Sequence, residues 1–327
     1  MSNRVSKTHH RQLLDWYRSA KRELPWRAQK DPYRIWISEV MLQQTTVAAV
    51  VPYFHRFMDR FPHVQSLANA SIESVYELWT GLGYYSRARN LHKAAQQIAL
   101  KGFPKTKAEL LELPGLGPYT ASAVASIAFD EPVGVLDGNV IRVLSRLYNI
   151  DSQWWNSAER NQLQKLADSF AELGEPSEIN QALMELGATI CTPKKTLCVS
   201  CPWVKTCAAY KADLVQLRPR PRPRKKMEVW IWEPHILIKN KKIALTKNDY
   251  APFLRGAFIF PGEVKKAKTK PEKFAAKHTI THHEIFVIPQ KKPKPPRTQK
   301  IEWVQIQNLS QKNPSILLKK VITKVQL

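Results

Sequence analysis

The chain has 327 residues, with 51 lysines and arginines against 27 aspartates and glutamates, so its formal net charge is +24. A charge of this size attracts polyanions and predicts salt-dependent binding to DNA or RNA. The chain has no apolar run long enough to span a membrane, and its first residues lack the apolar stretch of a secretory signal. We therefore expect a protein of a reducing compartment with about two domains. Charge alone does not separate an enzyme from a basic binding protein.

The first two thirds of the chain have the periodicity of helices. Apolar residues recur three and four positions apart over 72–99, with a glycine-rich break, and again over 159–170 and 179–190. This pattern predicts a mainly helical region at 1–217.

The composition changes after residue 217. Residues 218–228 alternate arginine with proline and then carry lysines, which predicts an extended, semi-rigid and self-repelling linker. Such a segment can follow DNA or simply connect two domains, and its composition favours neither. Short β-rich runs then predict a smaller α+β domain at 229–327. The expected strands are Val229–Trp232, His235–Lys239, Lys242–Thr246, Phe258–Phe260, Ile285–Pro289 and Ile301–Val304.

Four cysteines lie close together, at Cys191, Cys198, Cys201 and Cys207. A disulfide framework is a poor explanation, because the chain is large and carries no sign of secretion. Thiolates at short spacing suit a closed tetrahedral zinc site, and four thiolates also suit a 4Fe–4S cluster. Only the pair Cys198 and Cys201 has the two-residue gap common at zinc sites. Both kinds of metal site remain open on spacing.

The segment Leu113–Ala121 has the pattern of a helix-hairpin-helix. Gly115 and Gly117 allow a tight turn before a helix, so that successive N–H groups can point at one phosphate. A Gly-x-Gly turn is also common where helices merely pack, so the motif by itself leaves both interpretations open.

Two carboxyl groups are candidates for acid–base chemistry. Asp137 stands where a helix N-cap belongs, and there the helix dipole and backbone N–H groups favour its ionised form. Glu39 is flanked by apolar residues at 35–37 and 40–42, so burial should raise its pKa and let it act as an acid near neutral pH. A simple cap and a buried salt bridge are the structural alternatives. One raised and one depressed carboxyl group together suit glycosidic bond cleavage.

The chain resembles MutY-type adenine DNA glycosylases over residues 10–217. The resemblance rests on an ordered set of motifs that continues through the hairpin, residues 136–140 and the cysteine loop. Its first members are Leu24–Arg27, Asp31–Tyr33, Ser38–Thr45 and Gly81–Leu91.

The resemblance implies a mainly α glycosylase with two helical subdomains and an iron–sulfur loop, and a smaller α+β MutT-like (Nudix-fold) domain at the carboxyl end. It also implies one 4Fe–4S cluster on the four cysteines, and a monomer of the bacterial cytosol. The substrate would be double-stranded DNA with adenine opposite 8-oxoguanine or guanine. In this family the residue matching Glu39 protonates adenine at N7, and the residue matching Asp137 stabilises the cationic sugar.

Further site residues follow from the same resemblance. Tyr119 stands where bifunctional endonuclease III enzymes have the lysine that forms a Schiff base, so strand cleavage is not expected. Asn139 matches an asparagine that positions water or the aspartate. The expected DNA contacts are Arg27, Gln43, Gln44, Thr45, Tyr84, Gly115 and Gly117.

The resemblance is weaker in the carboxy-terminal domain. Thr281 and His282 are the candidates for reading the lesion, since they match the last two residues of a Phe-Ser-His triplet, while Ile280 replaces its aromatic ring. The acidic helix of a true Nudix hydrolase is missing after Gly262, which argues against nucleotide hydrolysis. Two other functions remain as alternatives: a bifunctional glycosylase and lyase for oxidised pyrimidines, and a lesion-binding protein without catalysis.

Overall fold

The computed structural model of the protein describes residues 5–223, 225–290, 294, 298–313 and 315–325. Its contacts divide the chain into two compact units, Met1–Pro223 and Arg224–Leu327, which we call the helical unit and the sheet unit. Within the described part of the chain, no helix has both the length and the apolar character needed to cross a membrane.

The helical unit consists of twelve described α-helices. In chain order they are α1 Lys7–Ala20, α2 Pro32–Leu42, α3 Val47–Arg60, α4 Val64–Ala68, α5 Ile72–Trp79, α6 Tyr85–Lys101, α7 Lys107–Leu111, α8 Pro118–Phe129, α9 Gly138–Leu147, α10 Ser157–Glu172, α11 Pro176–Thr189 and α12 Ala208–Lys211.

Two apolar cores divide the helical unit into two lobes. The core of the first lobe contains residues from Trp26 to Val135, most of which lie on α2–α8. The core of the second lobe contains residues from Leu136 to Trp203 together with the apolar face of α1. Met184 of α11 packs against both cores. The expected mainly α architecture with two helical subdomains is confirmed.

The helical periodicity over 72–99 corresponds to two helices, α5 and α6, separated by a glycine turn. Gly81 has φ +107, and a Cβ there would lie 2.1 Å from Tyr53 Oη. Gly83 has φ +70, a backbone conformation that only glycine adopts readily. The turn therefore requires both glycines. The helix expected at 159–170 lies inside α10. The helix expected at 179–190 lies inside α11 except for its last residue.

The sheet unit contains eight described strands and two helices. They are β1 Glu228–Pro234, β2 Ile238–Lys239, β3 Lys242–Lys247, β4 Phe258–Ile259, β5 Gly262–Ala267, β6 Ala276–Ile280, β7 His283–Val287, β8 Ile301–Gln305, α13 Leu309–Lys312 and α14 Ile316–Val325. One sheet has the order β5-β1-β7-β6, in which only β1 and β7 are parallel. In the other sheet β3 pairs with β2, β4 and β8, all antiparallel. The expected smaller α+β region is confirmed.

Two strands, β5 and β6, and both helices of the sheet unit were missed by the sequence prediction. β5 carries Lys265 and Lys266 and forms an edge of its sheet, where charged side chains protect the open strand from pairing with other chains. Such a sequence looks like a turn when only apolar alternation is considered. The strand expected at His235–Lys239 is reduced to the two residues of β2.

The linker does not behave as a self-repelling chain where it is described. Alternate arginines of the linker contact the loop at 149–154. Arg224 lies outside the described residues. The contacts are Arg218 Nε to Asn149 Oδ1 at 2.9 Å, Arg220 Nη2 to Asp151 Oδ2 at 2.7 Å, and the Arg222 guanidinium 5.9 Å from the Trp154 ring centre.

Candidate active site and cysteine cluster

A cavity of about 180 Å³ in the helical unit is lined by both predicted carboxyl groups. Glu39 lies on α2 of the first lobe, and Asp137 is the residue before α9 in the second lobe. Tyr119 and Asn139 line the same cavity. The four residues predicted for catalysis therefore converge on one space, although they come from three separate segments of the chain.

Glu39 has the environment of a general acid. Helix α2 begins after Asp31, whose side chain accepts a hydrogen bond from the Tyr33 N–H at 2.9 Å. Eight residues on, Glu39 is 5% exposed among the apolar side chains of α2. Burial raises its pKa to about 7; a hydrogen bond from Tyr119 opposes this rise, and the charge of Asp137 adds to it. The sequence-based expectation of a raised pKa agrees with this environment.

Asp137 is the N-cap of α9. Its carboxylate accepts hydrogen bonds from the Val140 backbone N–H at 2.8 Å and from Asn139 Nδ2 at 2.7 Å. Its pKa is nevertheless raised, because burial outweighs these hydrogen bonds and the charge of Arg142. The expectation of a depressed pKa at Asp137 is therefore wrong in direction, since cavity burial acts on both carboxyl groups.

Tyr119 is the second residue of α8, and its hydroxyl donates a hydrogen bond to Glu39 Oε2. The ring is held beside Met184 of the second lobe, whose Sδ lies 3.8 Å from the tyrosine oxygen. Burial and the neighbouring carboxylates raise the pKa of Tyr119 well above its usual value. The phenol therefore stays protonated, as a hydrogen-bond donor to the acid rather than a nucleophile.

A buried ion-pair network forms another wall of the cavity. Glu185 of α11, whose side chain is fully buried, accepts from Arg22 Nε at 2.5 Å and from Arg27 Nη2 at 2.9 Å. Arg27 was predicted to contact DNA, but its guanidinium pairs with Glu185 and also lies over the Tyr17 ring. The structure assigns Arg27 to the cavity wall. Sequence reasoning missed Glu185, because its partners lie near the opposite end of the helical unit's chain.

The other predicted DNA contacts lie on two turns. Gln43 follows the last residue of α2 and donates to Thr120 Oγ1 at 3.1 Å, while Gln44 is exposed with φ 62. Thr45 lines the cavity. Tyr84 precedes α6 with φ 49 and a side chain that is 50% exposed. Gln44 and Tyr84 are therefore accessible, whereas Gln43 is partly held by its hydrogen bond.

Arg87 joins these two turns. Its Nη1 donates to the carbonyl oxygens of Val40 at 2.7 Å and Gln43 at 2.6 Å, and its Nη2 donates to that of Leu82 at 3.1 Å. The guanidinium also lies 5.5 Å from the ring centre of Tyr84. One side chain thus fixes the separation of the turns that carry Gln44 and Tyr84. Arg87 lies inside a motif that the sequence singled out, but no pattern indicated this role.

The predicted hairpin is present between α7 and α8. Gly115 has φ +83, and a Cβ there would lie 2.6 Å from Asn90 Cβ. Gly117 caps α8, with Pro118 as its first residue. Both glycines are exposed, and the first N–H groups of a helix have no partner within that helix. The hairpin therefore presents donors suited to a phosphate.

The four cysteines surround a cavity of about 30 Å³ and are all free thiols. Because all four line this one small space, their thiols could bind one common metal ion or cluster.

The cysteine loop contacts the candidate active site through Arg142. This side chain donates to the Cys191 carbonyl oxygen at 2.7 Å and to Asn139 Oδ1 at 2.9 Å. Since Asn139 in turn donates to Asp137, hydrogen bonds run without a break from the cysteine loop to the carboxylate. Arg146 donates to Cys191 Sγ at 3.3 Å. Neither arginine was singled out in the sequence.

Thr281 and His282 lie on the turn between β6 and β7 of the sheet unit. Thr281 is exposed with φ 56, an uncommon conformation for a β-branched residue. Its hydroxyl donates to the Ile280 carbonyl oxygen at 2.7 Å and lies 3.3 Å from His282 Nδ1. The two candidate recognition residues are thus adjacent and accessible.

Known structures resemble this chain in fold. Residues 37–169 match the family model of the HhH-GPD superfamily base excision DNA repair protein. A thermostable thymine-DNA glycosylase aligns with a TM-score of 0.57 and 27% identity, over 63% of this chain and 96% of its own. Endonuclease III in a non-covalent DNA complex aligns with a TM-score of 0.52 over 64% and 99% of the two chains. At 23% identity, that second likeness concerns the fold alone.

Several relatives are more similar in sequence. The adenine DNA glycosylase of Mus musculus is 47% identical over 211 residues, and that of Homo sapiens is 46% identical over 209. The matched region spans only 41% and 38% of these mammalian proteins. The adenine DNA glycosylase of Buchnera aphidicola subsp. Baizongia pistaciae is 34% identical over 295 residues, which cover 85% of this chain and 84% of the relative. A likeness that spans most of both chains shows that this protein belongs to the adenine DNA glycosylase family.

Proposed function

We propose that the protein is a monofunctional adenine DNA glycosylase of base excision repair. It hydrolyses the N-glycosidic bond of adenine mispaired with 8-oxoguanine or guanine. The observation that carries the proposal is the single cavity lined by Glu39 and Asp137, in which burial raises the pKa of Glu39 to about 7. A carboxyl group with this pKa holds a proton near neutral pH and can give it to a leaving base.

The reaction begins with proton transfer from Glu39 to N7 of the adenine. The protonated base then leaves with the electron pair of the bond between C1′ and N9. Tyr119 holds the Glu39 carboxyl group through its hydroxyl. A general acid in this position contributes roughly 10²- to 10⁴-fold to the rate.

Asp137 stabilises the oxocarbenium-like sugar that remains. Its carboxylate is oriented by the Asn139 amide and the Val140 backbone N–H. Water adds to C1′ and gives a proton to the Glu39 carboxylate, which restores the acid and leaves an abasic site. Because a phenol forms no imine with that sugar, Tyr119 supports a glycosylase without lyase activity.

The target adenine leaves the helix before it reaches the cavity, because its glycosidic bond is inaccessible within the stack. The accessible side chains of Gln44 and Tyr84 suit insertion at the vacated position and contact with the opposite base. Gln43 and Thr45 join this surface, while Gly115 and Gly117 present backbone donors to a phosphate. The net charge of +24 makes the binding salt-dependent.

One 4Fe–4S cluster is held by Cys191, Cys198, Cys201 and Cys207. The free thiols, their position around one cavity and the Arg146 hydrogen bond to Cys191 Sγ support this assignment. The cluster supplies a structural link that orders the loop. Lys194, Lys195 and Lys205 of this loop are exposed and suit phosphate contacts.

The chain is organised as two domains joined by a linker. Residues 1–217 form the glycosylase domain, 218–228 the linker and 229–327 a divergent MutT-like domain, in which Thr281 and His282 read the lesion. The protein acts as a monomer in the bacterial cytosol. Exposure of the turn at 281–282 supports a role in recognition rather than chemistry.

Adenine release from a duplex with adenine opposite 8-oxoguanine tests the proposal. The cluster-loaded full chain, in excess over DNA, should release adenine in a single turnover. Glu39→Gln should lose at least about 100-fold, because the amide keeps the side-chain shape and has no acidic proton. Glu172→Gln, an exposed glutamate at the end of α10, is the matched control and should act as wild type.

The possible results distinguish an error in the proposed substrate from an error in the proposed mechanism. No adenine release by the wild-type protein would overturn the proposed activity. Equal release by wild type and Glu39→Gln would be consistent with the proposed activity but would contradict the role of Glu39 as the acid. Covalent trapping of the enzyme on DNA by borohydride would support the bifunctional alternative.

A further inference from the structure

We propose that Glu228, His282 and His283 of the sheet unit form a binding site for a divalent transition-metal ion of the zinc class. Each offers one ligand atom, and the three atoms all lie within 4.8 Å of one another. His283 Nε2 and Glu228 Oε2 are 3.5 Å apart. This separation is close to the spacing of two ligands that share a zinc ion with bonds of about 2.0–2.2 Å.

The backbone makes the three side chains converge. Glu228 and His283 are register partners in the parallel pair β1 and β7, and the Glu228 backbone N–H donates to the His282 carbonyl oxygen at 2.8 Å. Successive residues of a strand point to opposite faces, but His282 lies in the turn that precedes β7. Thr281 turns the chain there with φ 56, and the two histidine rings lie 4.1 Å apart.

The carboxylate is oriented by two further residues. Lys266 Nζ lies 2.6 Å from Glu228 Oε1, and Trp230 Nε1 donates to Oε2 at 3.0 Å. A carboxylate oxygen has two lone pairs, so Oε2 keeps one for a metal ion. Outer partners of this kind fix the ligand and are typical of metal sites. The side chain of Glu228 is only 27% exposed, which further limits its motion.

The ligand set selects the kind of ion. Two imidazoles and one carboxylate suit zinc, nickel or copper, whereas magnesium and calcium prefer oxygen ligands alone. Three protein ligands leave a fourth position for water or another group. The positive charge of Lys266 beside Glu228 opposes binding of a cation. We therefore expect weaker binding than at a closed four-ligand site.

Zinc titration of the cluster-loaded full chain tests this inference. Iron and sulfide analysis first establishes that the cysteines are occupied, so that they do not compete for zinc. Calorimetry without DNA should then detect one zinc ion per chain. His282→Ala and His283→Ala should each weaken binding at least about tenfold, since loss of an outer partner alone costs that much.

Two further variants sharpen the result. His278→Ala removes a partly buried histidine from β6 of the same sheet and should bind zinc as wild type does. Lys266→Gln keeps an N–H donor for Glu228 Oε1 but removes the competing positive charge, so it should tighten binding roughly two- to tenfold. A structural disturbance of the sheet would not produce tighter binding.

The inference is overturned if the wild-type protein binds no zinc, or if both histidine variants bind it as wild type does. Weakening by His278→Ala equal to that of His283→Ala would also refute the assigned ligands. Since no DNA is present, these results are independent of adenine excision. Failure of the metal site would leave the proposed glycosylase activity untouched.

Discussion

The helical unit and the sheet unit use their polar residues in different ways. In the helical unit Glu39, Tyr119 and Asp137 are far apart in sequence and meet in one buried cavity. In the sheet unit Thr281 and His282 are neighbours on an accessible turn. Bond cleavage needs groups that packing removes from water, whereas recognition needs groups that a partner can reach. The comparison predicts large effects on rate from the helical unit and small effects on selectivity from the sheet unit.

The largest effect is expected from Asp137→Asn. The amide keeps the size of the side chain but removes the negative charge that stabilises the sugar cation. Single-turnover adenine release should fall at least about 100-fold, as it does when one electrostatic stabiliser of a transition state is removed. Asp15→Asn, an exposed aspartate on α1, is the control. Similar rates for the two variants would contradict the role of Asp137.

An intermediate effect is expected from Arg87→Lys. A lysine carries its three N–H donors on one nitrogen, so it cannot span the two turns as the two Nη atoms of the planar guanidinium do. Loss of this link should misplace Tyr84 and slow excision roughly tenfold, with the iron content unchanged. Arg11→Lys, at an exposed position on α1, should have no effect. Equal rates for the two variants would remove the positioning role of Arg87.

The smallest effect is expected from Thr281→Val. Loss of one exposed hydroxyl should lower the preference for 8-oxoguanine over guanine opposite adenine by about two- to tenfold, the worth of a single hydrogen bond. The ratio of the two excision rates measures this change. A hundredfold lower excision rate on both substrates would contradict this difference between the two units, because the sheet unit would then take part in the chemistry.

Much of the helical unit could be predicted because its signals are local. The cap at Asp137, the apolar neighbours of Glu39 and the hairpin glycines are all short-range patterns. The pairing of Arg27 with Glu185 joins residues 158 positions apart, and no local pattern indicates it. The raised pKa of Asp137 likewise depends on burial by distant segments.

The sheet unit was harder to predict because lysines occupy its edge strands. Among the described strands, β5 and β6 lie at the two edges of one sheet, where one side of the backbone has no strand partner and charge is favoured. Their sequences lack the consecutive apolar residues that mark β3 and β7. The convergence of Glu228 with two histidines follows from strand register, which the sequence does not specify.

The pH dependence of single-turnover adenine release, compared between wild type and Tyr119→Phe, tests the central claim most directly. Glu39 donates a proton only when it is protonated, so the wild-type rate should fall as the pH rises through about 7. The hydrogen bond from Tyr119 lowers the pKa of Glu39, so its removal should move the midpoint of this fall to higher pH. A midpoint that stays in place or moves to lower pH in Tyr119→Phe would contradict the assignment of Glu39 as the acid held by Tyr119.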